Sequence, residues 1–370
     1  MTATDIRIEG PVTATAYTFP TPEPEADGTL SWDATTAVVV TIRAGGEQGL
    51  GWSYTSASTA AVVANDLAPV LHGRSPFDID GARTALLRAC RNIGTGSVVA
   101  HALSAVDIAL WDLQARLLRT PLSILFGPVR PATPVYGSGG FTTLDDDRLA
   151  AQIAGWRAAG CGAMKIKIGQ DRGQAVDRDL RRTALAARLI GDDAHLMVDA
   201  NGAYTIEQAR EIGSELDRLG VVWFEEPVTS DNPRGLQQVR GTVRCEVAAG
   251  EYIYDRYDAA DLVDVVDCLQ LDVTRCGGYS GFRECAALAE AHGLEVSAHC
   301  APALHAPLVA AIPNLRHVEW FADHVRLEPL LVDGVPEVVA GMLPPRAAEA
   351  SGIGHGMALA RSAEEYRLTS

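Results

Sequence analysis

The spacing of hydrophobic and polar positions changes twice along this chain. Residues 1–54 alternate loosely and contain a β-branched run at Thr36–Arg43, which predicts antiparallel strands. Between these strands, Pro20–Gly28 is rich in proline and acidic residues, and we expect it to be a mobile loop. Residues 58–127 repeat apolar positions at helical spacing, most clearly over Val98–Arg119. The first part of the chain is therefore predicted to be a small α+β domain.

From residue 131 onward, short β-rich runs alternate with amphipathic helical patterns. In the helix predicted at Thr205–Leu219, Thr205 and Gln208 form a capping box, and Gly220 follows as the C-cap. Eight strands alternating with helices indicate an α/β fold with a parallel (β/α) barrel. The predicted strands are Pro134–Gly137, Ala163–Ile168, His195–Val198, Val221–Phe224, Glu246–Ala249, Cys268–Leu271, Leu294–Ala298 and His317–Trp320.

Length, charge and cysteine usage exclude several classes of protein. A chain of 370 residues suits two domains, and its net charge of −16 disfavours nucleic-acid binding. No uninterrupted apolar run approaches the roughly 18–20 residues that span a bilayer, and the N-terminus lacks a secretory signal pattern. The seven scattered cysteines contain no CxxC pair, which indicates reduced thiols rather than disulfides or structural zinc. We therefore expect a cytoplasmic protein that binds neither nucleic acid nor membrane.

Lysine is almost absent from this chain. Of 31 basic residues only Lys165 and Lys167 are lysines, and the other 29 are arginines. An arginine cannot release its proton at accessible pH, so the retained lysines suggest proton transfer. They lie at i and i+2 of one predicted strand, so both amines enter the barrel mouth, where like-charge repulsion should lower both pKa values. The alternative is that they form ion pairs with nearby carboxylates.

Acidic residues end the next three predicted strands. Asp199, Glu225 and Glu251 are spaced 26 residues apart, one βα unit each. The carboxyl ends of barrel strands converge, so these side chains should meet near the axis, where their repulsion calls for a divalent cation. Carboxylate and water ligands suit Mg²⁺. Glu226 follows Glu225 directly and should turn away, so we leave it out of the ligand set.

The remaining strand ends carry further titratable groups. Asp272 ends the sixth barrel strand and His299 the seventh, and an Asp beside a His fixes its tautomer and raises its basicity. Glu319 lies on the eighth strand. If protonated it could donate a hydrogen bond to a developing enolate oxygen, and otherwise it could pair with a lysine. The sequence does not separate these two alternatives.

The ordered motifs KIK, DAN, FEEP, AAGE, DVTRCGG, SAH and HVEW resemble those of the mandelate racemase subgroup of the enolase superfamily. The resemblance covers nearly the whole chain. It implies a C-terminal modified (β/α) TIM-like barrel at 131–322, an N-terminal α+β capping domain at 1–130, and a segment, 323–370, that packs back on the cap. It also implies site roles: metal ligands Asp199, Glu225 and Glu251; a base, Lys167; Lys165 and Glu319 near the substrate carboxylate; a His299–Asp272 acid/base dyad on the opposite face; and pocket-lining Asn201 and Ser138.

Such a site implies Mg²⁺-dependent removal of the proton next to a carboxylate. We favour dehydration of an acid sugar to a 2-keto-3-deoxy acid, because that activity is frequent among similar proteins. Racemisation or epimerisation of a 2-hydroxy acid is the alternative. A barrel that kept only a binding role is a third hypothesis, and the complete set of site residues argues against it.

Substrate choice should lie in the capping loops near Phe19–Trp32 and Gly49–Ser56. The first of these carries only acidic charges, which favours a small-molecule monoacid over a diacid, although Arg275 could supply a positive charge. Similar proteins commonly form rings, so we expect a homo-oligomer. No role beyond pocket lining follows from the sequence for His305.

Overall fold

The N-terminal region forms an antiparallel sheet packed against helices in the computed structural model, which describes residues 5–347 and 352–368. The sheet order is β1-β2-β3, and helix α4 packs across β2 and β3. Its elements are β1 Thr13–Ala26, β2 Ser31–Ala44, β3 Glu47–Tyr54, α1 Thr59–Val62, a π-helical turn Val63–Leu67, α2 Ala68–Leu71, α3 Ile79–Cys90, α4 Val98–Leu117 and α5 Leu122–Phe126. The predicted antiparallel strands and the helical region after them are confirmed.

The expectation of a loop at Pro20–Gly28 is wrong for most of its length. Strand β1 continues to Ala26, and its register against β2 shifts between Pro20 and Glu25. Proline is tolerated here because β1 is an edge strand with a hydrogen-bonded neighbour, β2, on one side only. A residue without a backbone N–H therefore costs fewer interstrand hydrogen bonds than it would in a central strand. Strand β1 thereby carries the hairpin that follows it to the barrel mouth.

Helix α4 is the most buried helix of the cap. It is long and apolar enough to cross a membrane by length and composition, but 78% of that window is buried inside the protein. Gly49 and Gly51 of β3 face it, and a Cβ atom on Gly49 would lie 2.1 Å from the Ala109 carbonyl oxygen. The absence of side chains at these glycines is therefore what permits the close approach of sheet and helix.

The central region is a closed barrel of eight parallel strands, as predicted. Strands β4 to β11 are hydrogen-bonded in sequence order, and β11 pairs with β4 to close the ring. The strands are β4 Thr133–Gly139, β5 Ala163–Lys167, β6 His195–Asp199, β7 Val221–Glu225, β8 Glu246–Ala249, β9 Cys268–Leu271, β10 Glu295–Ala298 and β11 Leu315–Phe321.

Helices follow the barrel strands and cover the outside of the ring. Thr205 and Gln208 form the predicted capping box at the start of the fourth of them. The helices are α6 Asp146–Ala158, α7 Gln170–Gly173, α8 Val176–Ile190, α9 Ile206–Arg218, α10 Pro233–Arg240, α11 Arg256–Leu262, α12 Gly278–Ala291, α13 Pro302–Val309 and α14 Ala322–Leu331. The structure is therefore the α/β fold that the alternating pattern predicts, a capped TIM-like barrel.

The last part of the chain contacts both regions. Strand β12 Val332–Asp333 pairs with β14 Ala358–Leu359, and β13 Met342–Leu343 pairs with β4 at the N-terminal end of the barrel strands. Further on, the Leu368 amide donates to the Ala16 carbonyl of β1 at 2.9 Å. The domain limits at 130 and 322 stay predictions, and those at 1 and 370 fall outside the described residues.

Candidate active site

Strand register places the acidic strand ends in one row. Lys167 of β5 is level with Asp199 of β6, which is level with Glu225 of β7. Glu251 follows β8 after Gly250, whose φ of +133° redirects the chain, and a Cβ there would lie 2.3 Å from the Gln270 carbonyl oxygen. Oxygen atoms of Asp199, Glu225 and Glu251 all lie within 4.8 Å of one another. All three side chains are buried.

These three carboxylates fit a hard divalent cation. The donor set consists of oxygen alone, which suits Mg²⁺ better than a soft metal. Glu251 Oε2 is buried and accepts no hydrogen bond, although His299 Nε2 lies 3.2 Å away. A buried carboxylate oxygen without a hydrogen bond is costly unless a cation or donor reaches it. The residues thus form an acidic group that could hold a metal ion.

The amines of Lys165 and Lys167 both reach this group. Lys165 Nζ pairs with Glu225 and lies 2.9 Å from Glu319 Oε1 and 3.7 Å from Asp199 Oδ2. Lys167 Nζ pairs with Asp199. Both lysines face the inside of the barrel mouth, as expected from their i, i+2 spacing.

The expected lowering of the lysine pKa values is wrong in this arrangement. Burial is the largest influence on Lys167 and lowers its pKa, and Lys165 lowers it further, but the carboxylates of Asp199, Glu251 and Glu319 together outweigh both and the pKa is raised. For Lys165, burial is likewise outweighed, chiefly by Glu225 and Glu319, and its pKa is also raised. The expectation considered the repulsion between two amines and omitted the carboxylates that face them.

The expected His–Asp pair is present on the far side of the barrel mouth. His299 Nδ1 lies 2.9 Å from Asp272 Oδ2, and Thr274 donates from both its amide and its hydroxyl to Asp272 Oδ1 at 2.7 Å. Burial raises the pKa of Asp272, but the hydrogen bond to His299 and the charge of Arg275 outweigh it and lower the pKa. The Asp272 contact holds Nδ1, so Nε2 of His299 faces the pocket.

The histidine itself is held in its charged form. Burial lowers the pKa of His299, but Cys300, Glu251, Glu319 and the hydrogen bond to Asp272 raise it well above its usual value. An imidazolium whose Nε2 lies toward the pocket, 3.2 Å from Glu251 Oε2, can give up a proton there, and the neutral ring can accept one.

Glu319 forms an ion pair rather than the protonated donor that we considered. Its Oε1 accepts from Ser138 Oγ at 2.6 Å and faces Lys165, and its Oε2 accepts from the Cys300 amide at 2.9 Å. Burial raises the pKa of Glu319, but Lys165 and then His299 outweigh it, and the pKa is lowered. Ser138 is fully buried behind Glu319 and is not among the residues that line the pocket.

A pocket of about 280 Å³ opens between the barrel mouth and the capping sheet. Asn201 lines it, and the Asn201 amide donates to Asp199 Oδ1 at 2.9 Å. Glu226 is not part of the three-carboxylate group, as expected. The lining comes from two places. The cap supplies Asp27, Leu30, Trp32, Ala34, Thr35, Thr36, Tyr54 and Thr55, and the barrel supplies Lys167, Asn201, Glu251, Tyr252, Arg275, His299, Cys300, Phe321, Asp323 and His324.

Two family models together match most of the chain. Residues 148–363 match the model of enolase C-terminal domain-like proteins. Residues 12–127 match the model of the mandelate racemase / muconate lactonizing enzyme N-terminal domain. The chain belongs to the enolase superfamily. The resemblance drawn from the strand-end motifs is therefore confirmed.

Other members of the enolase superfamily are similar over most of their length. The L-talarate/galactarate dehydratase of Salmonella typhimurium is 32% identical over 284 residues, which cover 74% of this chain and 71% of that protein. Its structure liganded with Mg and L-lyxarohydroxamate has a TM-score of 0.89 at 28% identity, over 100% of this chain and 95% of that one. The D-galactarolactone cycloisomerase of Agrobacterium fabrum is 33% identical over 283 residues, 75% of this chain and 74% of that protein.

A solved structure with higher identity carries only a family description. It is a mandelate racemase/muconate lactonizing enzyme-like protein from Rubrobacter xylanophilus, with a TM-score of 0.93 and 41% identity over 98% of this chain and 100% of that one. Further relatives in the enolase superfamily are named dehydratases of D-gluconate, arabinonate and D-galactonate.

Sequence reasoning missed the groups that hold the Glu225 carboxylate. Glu225 Oε2 accepts from Trp223 Nε1 and from Gln270 Nε2, each at 2.8 Å. Trp223 lies two residues before Glu225 on the same strand face, so a period-2 pattern could have indicated it. Gln270 is on β9, two strands away, and only the closed barrel brings it to this carboxylate.

Proposed function

We propose that this enolase-superfamily enzyme removes the α-proton of a hydroxy-carboxylate in a Mg²⁺-dependent reaction and dehydrates an acid sugar to a 2-keto-3-deoxy acid. One observation carries the proposal. A single pocket joins a buried three-carboxylate group, a lysine amine beside it, and a histidine backed by an aspartate. The names of the acid-sugar dehydratases among the relatives support this choice of reaction.

Asp199, Glu225 and Glu251 would hold Mg²⁺. When bound, the cation would stabilise the negative charge that develops on the substrate carboxylate as the α-proton leaves. Lys165, between Glu225 and Glu319, lies where its ammonium can face the same carboxylate. Ser138 holds Glu319 in place by its hydrogen bond to Oε1.

In this proposal Lys167 accepts the α-proton as a neutral amine. Asp199 stabilises the ammonium form of Lys167. Lys167 can therefore act as a base only when the Asp199 carboxylate binds the metal ion instead of the amine. The electron pair of the broken C–H bond becomes the second bond between the α- and β-carbons. His299 Nε2 gives its proton to the β-hydroxyl, which departs as water, and the resulting enol becomes the keto acid.

Racemisation or epimerisation of a 2-hydroxy acid is the second candidate. Proton-transfer groups on two sides of the pocket favour it, since one can remove the α-proton and the other return one. The two reactions differ in a simple way. Dehydration produces a 2-keto acid, whereas racemisation inverts the α-carbon without changing composition.

The proposal is tested by incubating the enzyme and Mg²⁺ with a library of acid sugars and 2-hydroxy acids in deuterated water. We expect a 2-keto product from at least one acid sugar, with deuterium incorporated. Inversion of a 2-hydroxy acid without keto product would favour the racemase. No exchange with any member of the library would contradict both and support a barrel with a binding role only.

Two substitutions test the roles of the bases. We expect Lys167→Ala to abolish deuterium exchange at the α-carbon from the side of the pocket where Lys167 lies. We expect His299→Asn to abolish proton delivery from the opposite side. His292→Asn is the matched control, because His292 is an exposed histidine that follows α12 and precedes β10, at the opposite end of that strand from His299. If both site variants keep full turnover, the two-base assignment is wrong.

A further inference from the structure

We infer that the substrate is a monocarboxylic sugar acid, an aldonate, whose end remote from the reacting carboxylate is uncharged, and not a dicarboxylic aldarate. This inference rests on the proposed function and narrows its substrate class. It follows from the charges that line the pocket between the barrel mouth and the capping sheet.

The pocket lining contains two strongly basic side chains, Lys167 and Arg275, and acids already engage both. Lys167 Nζ pairs with Asp199. Arg275 Nη1 lies 3.3 Å from Glu251 Oε1, and its Nε lies 3.5 Å from Asp272 Oδ2. Arg275 therefore balances carboxylates of the reaction centre and is not a free partner for a second substrate carboxylate.

The histidines of the lining do not add a free cation. His299 belongs to the reacting dyad with Asp272. His324 Nδ1 accepts from the Ala301 amide at 3.0 Å, so its proton resides on Nε2 and the ring is neutral. Burial also lowers the pKa of His324 to about 4. This ring can donate a hydrogen bond to a hydroxyl group but carries no charge for a carboxylate.

The side of the pocket formed by the cap is acidic and rich in hydroxyl groups. Asp27 sits at the tip of the β1–β2 hairpin, where its Oδ1 accepts from the Leu30 amide at 2.7 Å. Thr36 and Thr55 line the same side, and their hydroxyls share hydrogen bonds with those of Thr18 and Thr59, respectively. Such groups bind and orient the hydroxyls of a sugar chain, whereas an aspartate repels a terminal carboxylate.

Asp323, which belongs to the barrel, adds a second acidic side chain to this side of the pocket. Its Oδ2 accepts from the Thr35 hydroxyl, and its Oδ1 pairs with Arg326 at 2.5 Å. Arg326 is not among the residues that line the pocket, and its contacts are with Asp323 and the Pro20 carbonyl. Across the described lining the acids Asp27, Glu251 and Asp323 face the cations Lys167, Arg275 and His299, and each of these cations already has a carboxylate partner. A second carboxylate would have to be buried against this charge without a partner, which strongly disfavours binding.

The test compares aldonate and aldarate pairs of the same configuration, such as galactonate with galactarate and gluconate with glucarate. A full set of hexonate and pentonate isomers and the matching diacids is assayed with the Mg²⁺-loaded enzyme for 2-keto product and deuterium exchange. We expect the best aldonate to exceed its aldarate in kcat/KM by at least about 100-fold, because an unpaired buried charge is a severe mismatch.

The outcomes separate this inference from the proposed function. An aldarate turned over as fast as its aldonate, or faster, overturns the inference and leaves the dehydratase proposal standing. Product and exchange from neither series overturn the dehydratase proposal and the inference with it.

Two variants on the cap test the physical cause. Asp27→Asn keeps an oxygen for the turn at Leu30 but removes the charge, and we expect the aldarate-to-aldonate ratio of kcat/KM to rise about tenfold. Asp33→Asn is the matched control, because Asp33 is exposed on β2 and does not line the pocket, and its ratio should stay within about twofold of the parent. An unchanged ratio in Asp27→Asn, with the fold intact by circular dichroism, contradicts the electrostatic argument.

Discussion

The hydrogen bond from Gln270 to Glu225 should control metal affinity. Gln270 Nε2 and Trp223 Nε1 are the two donors to Glu225 Oε2, each at 2.8 Å, while Oε1 faces Lys165. Because these two hydrogen bonds fix Oε2, the Glu225 carboxylate keeps one orientation toward Asp199 and Glu251. We therefore consider the substitution Gln270→Leu, which removes one of the two donors with little change in volume.

The expected loss follows from the value of a hydrogen bond to a charged group, about 1.5–3 kcal/mol. If that bond contributes fully to the metal-binding geometry, Mg²⁺ affinity should fall roughly 10–100-fold, the usual effect of losing a group that orients a ligand. Stability should respond differently. Gln270 Oε1 is buried and accepts no hydrogen bond, so leucine also removes an unsatisfied group. The free energy of unfolding without metal should stay within about 1 kcal/mol of the parent.

Isothermal titration of the metal-free protein with Mg²⁺ measures the affinity, and urea denaturation measures stability. Gln237→Leu is the matched control, since Gln237 is exposed on α10. A dissociation constant for Gln270→Leu within twofold of both parent and control would refute the reasoning. An equal loss of affinity and stability would show that the barrel, and not the orientation of Glu225, had been disturbed.

Three further predictions concern the metal, pH and packing. Chelation with EDTA should abolish turnover and added Mg²⁺ should restore it; activity that survives chelation would contradict the metal assignment. Burial raises the pKa of Asp107 from 3.8 to about 6, so its stabilising contribution is complete below pH 3.8 and is lost as pH rises through 6. Asp107→Asn should therefore gain roughly 3 kcal/mol in free energy of unfolding relative to the parent between pH 4 and pH 8, and parallel denaturation curves at the two pH values would contradict this. Gly49→Ala should cost about 3 kcal/mol, since its Cβ would lie 2.1 Å from the Ala109 carbonyl, while Gly155→Ala, with nothing within 4 Å, should gain about 0.5–1 kcal/mol. Thermal unfolding that ranks these two variants in the opposite order would refute the packing argument.

Much of the architecture could be predicted because it depends on local periodicity. Strands of four to seven residues separated by amphipathic helices indicate a barrel whatever the side chains at the strand ends. Since carboxyl ends of parallel strands meet at one mouth, the convergence of Asp199, Glu225 and Glu251 follows from the same pattern. The i, i+2 spacing of Lys165 and Lys167 likewise places both amines inside.

The Pro20–Gly28 segment shows where local pattern fails. Proline and acidic residues indicate a loop, but an edge strand needs no donor on its open side, and β2 pairs with this segment at Pro20, Glu25 and Ala26, on both sides of a register shift. Only the tertiary position of β1 as an edge makes this segment a strand. The same strand carries Asp27 to the pocket, so the error concerned a part of the molecule that contributes to substrate choice.

What the sequence determined by itself was the set of chemical groups and the mouth at which they meet, because strand and helix periods are properties of neighbouring residues. The charge states of those groups were decided by the tertiary structure. Lys167 is held as an ammonium by Asp199, Glu319 is ionised against Lys165, and Gln270 of β9 reaches Glu225 of β7 past the strand between them. Electrostatic energy depends on distance and burial, and these are set by strands far apart in the chain that the closed barrel brings together.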